Sequence, residues 1–578
     1  VGSEMCIRDR SNGVGADGGG AIVFGLSTLK DAISLANMLD LQPLLSRLRL
    51  PQLLIPQPGS DTLAISKSAL LNIINSNPDI DTILSNSFQQ YLTTDAGTLA
   101  GQLQRVLPDN SFTTGLLAAQ QQFTGQNPQT VYSTFKQNLT TALQGNSTIA
   151  IGSPQELVQT LQIGPQFNDF NLNFNLAQNN VDAAIADIEQ SREAEFLKKL
   201  GQESSGQVST ASSIREMLVL NAALLGKNPA VLYTVSLPDS LELILVTPSG
   251  KTVRRSVPVS QEELRRVAQE FIGEVTNVDS QEYLPLGQQL YRWLIAPIES
   301  ELKDKDIGII LFSLDSGLRT MPIAALHNGK EFLVEKYSLG LIPTINLTDT
   351  RYKGLRNAQV LAMGASVFQP ETGLKSLAAV PTELSLITPQ LWPGRSFLNE
   401  QFTLDNLKAQ RTIKPYEVVH LATHAEFSAN NFYIQLWNSK LRPEQLRKLG
   451  WKNPAVELLV LSACRTARGD EAAELGFAGL AVQAGVKSAL ASLWSVDDTG
   501  TLLLMYQFYD RLKTEPIKAE ALRYAQIAML RNQVKITDDN VAVTPQGNLP
   551  LPSNVSSMSA DLSHPYYWAA FTMIGSPW

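Results

Sequence analysis

Short apolar segments alternate with amphipathic helical patterns along the part of the chain beyond residue 305. The strand candidates are Ile307–Phe312, Ala358–Met363, Glu417–Ala422, Leu458–Ser462 and Ser488–Leu493. The helical patterns are Pro381–Pro389, Leu404–Gln410, Glu474–Ala484 and Thr501–Leu512. Strands that are apolar on both faces are typical of parallel sheets covered by helices on two sides. The alternation therefore predicts an α/β fold with a mostly parallel sheet, whose functional site would lie at the carboxyl ends of the strands.

The segment before residue 305 has a different period. Ala230–Leu237, Leu241–Thr247 and Thr252–Val257 are strand candidates joined by turns that contain Pro or Gly, which predicts an antiparallel meander. Helical patterns follow at 260–277 and 287–303.

These patterns give the expected domain boundaries. We expect residues 225–304 to form a small antiparallel β plus helix subdomain, and residues 305–578 to form the main α/β core. Residues 181–224 have the charged, periodic pattern of a helical linker.

The N-terminal part of the chain is harder to interpret. Residues 11–180 are rich in Gln, Asn, Ser and Thr, and their short amphipathic patterns predict a mainly helical region of unassigned function. Residues 1–10 resemble a translated sequencing adapter, so we expect Cys6 to be foreign to the natural protein. Because the chain does not begin with Met, we expect the natural N-terminus to lie upstream.

Composition narrows the classes of function. A formal net charge of −8 argues against a nucleic-acid-binding surface. No apolar stretch approaches the roughly 18 residues that a membrane span requires. Without Cys6 there is no disulfide partner for Cys464, which favours a reducing, cytoplasmic compartment, although an upstream leader would allow secretion. No cofactor is predicted.

Two candidate reactive residues stand at the ends of predicted strands. His424 closes the apolar run that begins at Glu417, and Cys464 closes the run that begins at Val456. A cysteine in this context is often a small buried apolar residue. However, Arg465 and a polar loop follow it, and such surroundings favour the thiolate. The sequence predicts a cysteine nucleophile with a histidine base at one sheet edge.

Other chemistries remain as alternatives. His420 and His424 are four residues apart, a spacing that on a helix would suggest zinc, but their context predicts a strand and no metal site. Ser462 lacks the glycines of a serine-hydrolase nucleophile turn. Asp497 and Asp498 precede a predicted helix, so they are either helix caps or carboxylates of a substrate pocket that selects a basic side chain.

Five segments together resemble the bacterial CHAT domain, which is related to caspases and separases. They are Asp315–Leu326, His420–His424, Val460–Thr466, Leu475–Trp494 and His564–Phe571. The resemblance runs from about residue 225 to residue 578. It implies a caspase-like, mostly parallel sheet with helices on both faces.

The resemblance also implies a function. His424 would be the base and Cys464 the nucleophile of a cysteine endopeptidase that cleaves protein substrates, with the backbone N–H groups of Ala425 and Cys464 holding the oxyanion. The family usually has Gly where this chain has Ala425, which favours the alternative of a catalytically silent scaffold or signalling module. A regulatory protein partner would bind through residues 11–180. A third hypothesis is self-processing within the polar segment 202–210.

Overall fold

A computed structural model of the chain describes residues 178–200, 208–427, 433–451, 453, 455–466, 479, 485–537, 540–551 and 561–578, with three short strands and scattered positions between 54 and 176. The predicted adapter segment 1–10, most of the predicted helical region 11–180 and the predicted helix Glu474–Ala484 lie outside the described residues. The chain divides into two compact units, Val1–Asn180 and Val181–Trp578. In the first unit, β1 (Leu54–Pro56), β2 (Leu63–Ser66) and β3 (Thr148–Gly152) form an antiparallel sheet.

Thirteen of the described strands of the second unit form one sheet. They are β4 (Asn228–Ser236), β5 (Leu241–Val246), β6 (Val253–Val257), β7 (Ile307–Ser313), β8 (Ser338–Leu341), β9 (Val360–Gly364), β10 (Gly394–Leu398), β11 (Val418–Phe427), β12 (Tyr433–Gln435), β13 (Lys440–Leu441), β14 (Leu458–Thr466), β15 (Ser488–Ser492) and β19 (Phe571–Gly575). A separate antiparallel sheet contains β16 (Lys535–Ile536), β17 (Val541–Thr544) and β18 (Gly547–Pro550).

The large sheet contains two parallel blocks that run in opposite directions. Its order is β10-β9-β11-β14-β15-β19-β8-β7-β4-β5-β6. The strands from β10 to β15 are parallel to one another, as are those from β19 to β4, and the pair β15–β19 is antiparallel. The predicted meander is present as β4–β5–β6, and it extends the large sheet rather than forming a sheet of its own.

Helices pack around these strands. They are α1 (Val181–Leu200), α2 (Ala211–Leu225), α3 (Gln261–Val275), α4 (Tyr283–Leu294), α5 (Glu299–Asp304), α6 (Leu333–Lys336), α7 (Val380–Ser385), α8 (Leu404–Ile413), α9 (Pro443–Arg447), α10 (Asp498–Leu512), α11 (Lys518–Leu530) and α12 (Pro565–Trp568). None of the described helices combines the length and the apolar character that a bilayer crossing requires.

Local sequence explains where two of the predicted helices differ from the structure. The predicted helix 287–303 is interrupted, because Pro297 has no N–H to donate to the preceding turn, and a short 3₁₀ segment separates α4 from α5. The predicted helix Pro381–Pro389 is regular only as α7. Thr388 precedes a proline and adopts extended dihedral angles.

Candidate active site

A bulge in β11 sets the backbone register between the two strands that carry the predicted reactive residues. In the parallel pair β11–β14, Ala422 is opposite Ser462 and Ala425 is opposite Cys464. Two residues of β11, Thr423 and His424, therefore stand against one residue of β14. An extra residue of this kind redirects side chains and is common beside active sites.

The close approach of β9 fixes the position of β11 just before the bulge. A Cβ atom at Gly364 would lie 2.6 Å from the carbonyl oxygen of Ala422, so only glycine permits this packing. Thr423, which is buried, donates a hydrogen bond to the carbonyl oxygen of Gln435 in β12, at 2.7 Å. The strand is held on both sides of the bulge, and His424 lies at this fixed position.

The His424 imidazole is partly buried against the loop that follows β9. Its Nε2 lies 2.8 Å from the carbonyl oxygen of Lys375, and its ring centre is 4.9 Å from that of Phe368. Because a carbonyl can only accept, Nε2 carries the hydrogen, and Nδ1 is left with the lone pair. Burial lowers the pKa of His424, against a smaller opposing effect of the hydrogen bond to Lys375. The direction of this shift favours the neutral imidazole, which is the form that a general base requires.

The backbone of Cys464 lies directly beside that of Ala425. Paired residues of neighbouring strands are about 5 Å apart, so the sheet brings the two predicted positions together. Both positions lie within the strands and not at their ends as predicted, because the pairing continues beyond the bulge to Phe427 and Thr466. The structure describes the Cys464 backbone and not its side chain, and the dyad stays a prediction. Ala425 is also paired with Ile434 of β12, and it is not among the residues with positive φ. The conformation at 425 therefore does not require glycine.

A buried polar network lies between the sheet and the helices α7 and α10, away from the bulge. His420 Nδ1 is 3.1 Å from the hydroxyl of Tyr509, and its Nε2 is 3.0 Å from Glu383 Oε1, in an ion-pair contact that is not aligned as a hydrogen bond. Ser462 donates to the same carboxylate oxygen at 2.8 Å. Burial and the charge of Glu383 raise the pKa of Tyr509 well above its usual range. His420 and Ser462 are thus core residues, and their contacts differ from those of His424.

Asp497 and Asp498 begin α10 at the neighbouring strand end. Asp497 caps the helix, because its Oδ2 accepts a hydrogen bond from the N–H of Gly500 at 2.9 Å. Asp498 Oδ2 accepts one from the N–H of Ala379 at 2.6 Å, just before α7. Burial, with the negative charges of Glu383 and Asp497, raises the pKa of Asp498 to about 6, although the bond from Ala379 opposes the rise. The pocket role of the two aspartates stays a prediction.

Three contributions to the site were not found from the sequence. The Lys375 carbonyl is a backbone group in a loop and has no side-chain signature. Phe368 lies in the same loop, whose far end is tied to Asp498 through Ala379. Glu383 could have been found from the sequence pattern, because it is a charged residue on the face of α7 that also buries Val380 and Leu384.

The comparisons with known proteins agree with the predicted resemblance. The CHAT domain family matches residues 284–576, just over half of the chain. The chain belongs to the CHAT domain family. The predicted family and fold class, a mostly parallel sheet covered by helices, are confirmed. No curated protein sequence matches the chain.

Two solved structures are among those that match the chain. A chain of the Saccharomyces cerevisiae separase–securin complex matches with 9% identity and a TM-score of 0.42, over 88% of this CHAT protein and 43% of that chain. The Arg-specific cysteine proteinase gingipain R (RgpB) matches with 11% identity and a TM-score of 0.32, over 55% of this chain and 74% of that one. This CHAT chain therefore spans less than half of the separase-complex chain.

Proposed function

We propose that this CHAT protein is a cysteine endopeptidase that cleaves protein substrates, with His424 as base and Cys464 as nucleophile. The observation that carries the proposal is the bulge between β11 and β14, which sets His424 beside the strand that contains Cys464. The Lys375 carbonyl supports it by leaving Nδ1 of the imidazole as the proton acceptor.

The chemistry follows from these roles. Nδ1 of His424 takes the thiol proton, and the thiolate attacks the carbonyl carbon of the scissile peptide bond. The backbone N–H groups of Ala425 and Cys464 hold the oxyanion that forms. The imidazolium gives its proton to the leaving amine, and a thioester remains. His424 then deprotonates a water molecule that hydrolyses the thioester, and the free thiol is restored.

The Lys375 carbonyl has a further role in this scheme. When His424 carries both protons, Nε2–H still donates to the carbonyl oxygen, so the imidazolium keeps its orientation between the two proton transfers. The arrangement needs no carboxylate beside the imidazole.

A peptide probe that alkylates cysteine-peptidase nucleophiles tests the proposal. We expect the probe to label Cys464, and we expect His424→Ala to reduce the labelling rate by about 10²-fold or more, because the thiol loses its base. Peptide mapping separates this label from any on Cys6. His327→Ala is the matched control, because His327 is a partly buried histidine in an isolated β-bridge outside the site.

The scaffold alternative predicts a different result. A scaffold would react with a small general alkylating reagent but not selectively with the peptide probe. Equal labelling of the wild type and His424→Ala by the peptide probe would remove the dyad and leave the scaffold as the better hypothesis.

A further inference from the structure

An acidic protein concentrates arginine around one cavity on its surface. The chain has a net charge of −8, yet a cavity of about 280 Å³ beside the α10–α11 hairpin is lined by Arg511, Arg523 and Arg531. Arg511 is at the C-terminal end of α10, and Arg523 and Arg531 are on or just after α11. This cavity contains none of the residues of the candidate active site.

Two of the arginines are oriented by the protein. Arg523 donates to the carbonyl oxygens of Val334, at 2.8 Å, and Glu335, and to Glu520 Oε1 at 3.2 Å. Arg531 donates to Glu335 Oε1 at 3.1 Å. These bonds hold the guanidinium groups in place, so less side-chain entropy would be lost when a ligand binds.

Arg511 differs from the other two. Its guanidinium lies 5.2 Å from the ring centre of Tyr524, and no described carboxylate lies within ion-pairing distance of it. A guanidinium has five N–H donors in a planar fork, which suits a two-point contact with phosphate. Of the three arginines, Arg511 is therefore the one that makes no ion pair with a described residue, and its guanidinium is the best candidate for contact with a ligand.

A second observation points to a missing acceptor. Gln507 lines the cavity and is 1% exposed, and its Nε2 has no hydrogen-bond partner among the described residues. A buried unpaired amide donor is costly, and native proteins usually supply an acceptor. Tyr524 and Ile527 add an aromatic and an apolar wall.

We propose that this cavity binds a small phosphate ester, with the phosphate on Arg511 and Gln507 and the apolar part of the ligand against Tyr524 and Ile527. The volume suits a group of the size of a phenyl phosphate rather than a macromolecule. The proposal does not depend on the proposed peptidase activity.

Calorimetric titration of the full chain at physiological ionic strength tests the site, with phenyl phosphate, inorganic phosphate and benzoate as probes. We expect phenyl phosphate to bind most tightly, and Arg511→Gln to weaken it at least about tenfold, because a charge-assisted bidentate contact is lost. Arg292→Gln is the control, since it removes the same charge from an exposed position on α4 and should leave the affinity unchanged.

Gln507→Met separates binding from folding. Replacing an unpaired buried amide by an apolar side chain of similar length should leave the unliganded protein as stable or more stable, yet weaken phenyl phosphate severalfold. Equal affinity of the wild type and Arg511→Gln, or binding of benzoate as tight as that of phenyl phosphate, would overturn the phosphate site. No measurable binding of any probe would do the same.

Discussion

The two parallel blocks of the large sheet use their carboxyl ends in different ways. In the block β8-β7-β4, α1 covers the ends of the strands. Arg192 of this helix donates to the carbonyl oxygen and hydroxyl of Ser313 at 2.7 Å, and Glu189 accepts from the N–H groups of Ile345 and Asn346. In the block β9-β11-β14-β15, the corresponding edge carries the partly exposed His424.

The difference shows what a strand end does and does not determine. The ends of parallel strands form a crevice in both blocks. In the first block, charged side chains of α1 satisfy the backbone and hydroxyl groups of that crevice, so its polar residues are structural. In the second block, a bulge and a loop carbonyl orient the His424 imidazole instead. A polar residue near the end of a strand is thus a candidate for chemistry only where its neighbours leave at least one of its polar atoms without a hydrogen bond.

The largest predicted effect is on the free energy of unfolding, and it should differ between variants at the two edges. Arg192→Met removes a cation that is 6% exposed and leaves the groups around Ser313 and Asp315 without their partner, so we expect the free energy of unfolding to fall by about 3–5 kcal/mol. His424→Ala should change this free energy by less than about 1 kcal/mol while reducing the rate of probe labelling by about 10²-fold or more. Chemical denaturation measures the first quantity.

The control for this comparison is Arg266→Gln. Arg266 forms exposed ion pairs with Glu263 and Glu270, and such pairs contribute little, so the free energy of unfolding should stay nearly unchanged. If Arg192→Met were as mild as Arg266→Gln, the first edge would not depend on α1 in the way described.

The second prediction concerns pH. The pKa of Asp498 is raised to about 6 in the folded protein from an ordinary value of 3.8. Between these values the folded state binds the proton more tightly, so this group makes stability fall as pH rises from about 4 to 6. Asp498→Asn keeps an acceptor for the N–H of Ala379 and removes the titration. We expect the variant to lack this decline and to be more stable by about 2 kcal/mol at pH 7.

Unfolding measured across this range, as the difference between wild type and variant, isolates the contribution of Asp498. Asp405→Asn, at an exposed position in the first turn of α8, is the control and should show no such difference. A wild type that gains stability relative to Asp498→Asn between pH 4 and 6 would contradict the sign.

The strands of this candidate site were predictable because they depend on patterns that a sequence carries. Apolar runs predicted the first parts of β11 and β14, but not their continuation to Phe427 and Thr466, and the roles of His424 and Cys464 stay predictions. The one-residue bulge was not predictable, since it is a relation between two strands that each look regular. The Lys375 carbonyl was not predictable either, because any residue in that loop would present the same backbone group.

The third prediction tests whether the second edge also selects substrates. Asn caps helices about as well as Asp, so Asp497→Asn should keep the bond from the N–H of Gly500 and remove only the charge. If Asp497 lies in the substrate pocket, a preference for Lys or Arg before the scissile bond should fall by about tenfold, and cleavage after apolar residues should not change. Profiling with a peptide library measures both. An unchanged preference would leave Asp497 as a helix cap alone.

The smallest predicted effect is on the pKa of His424, which the loop after β9 partly buries. Phe368→Ala exposes the imidazole, and because burial lowers the pKa of His424, the pKa should rise in the variant. The neutral form is the base, so the labelling rate should begin to fall at a higher pH in the variant as the solution is acidified. Phe332→Ala is the matched control, because Phe332 packs on His327 at a ring distance of 4.8 Å. A shift to lower pH in Phe368→Ala, or an equal shift in both variants, would mean that the loop does not set the basicity of His424.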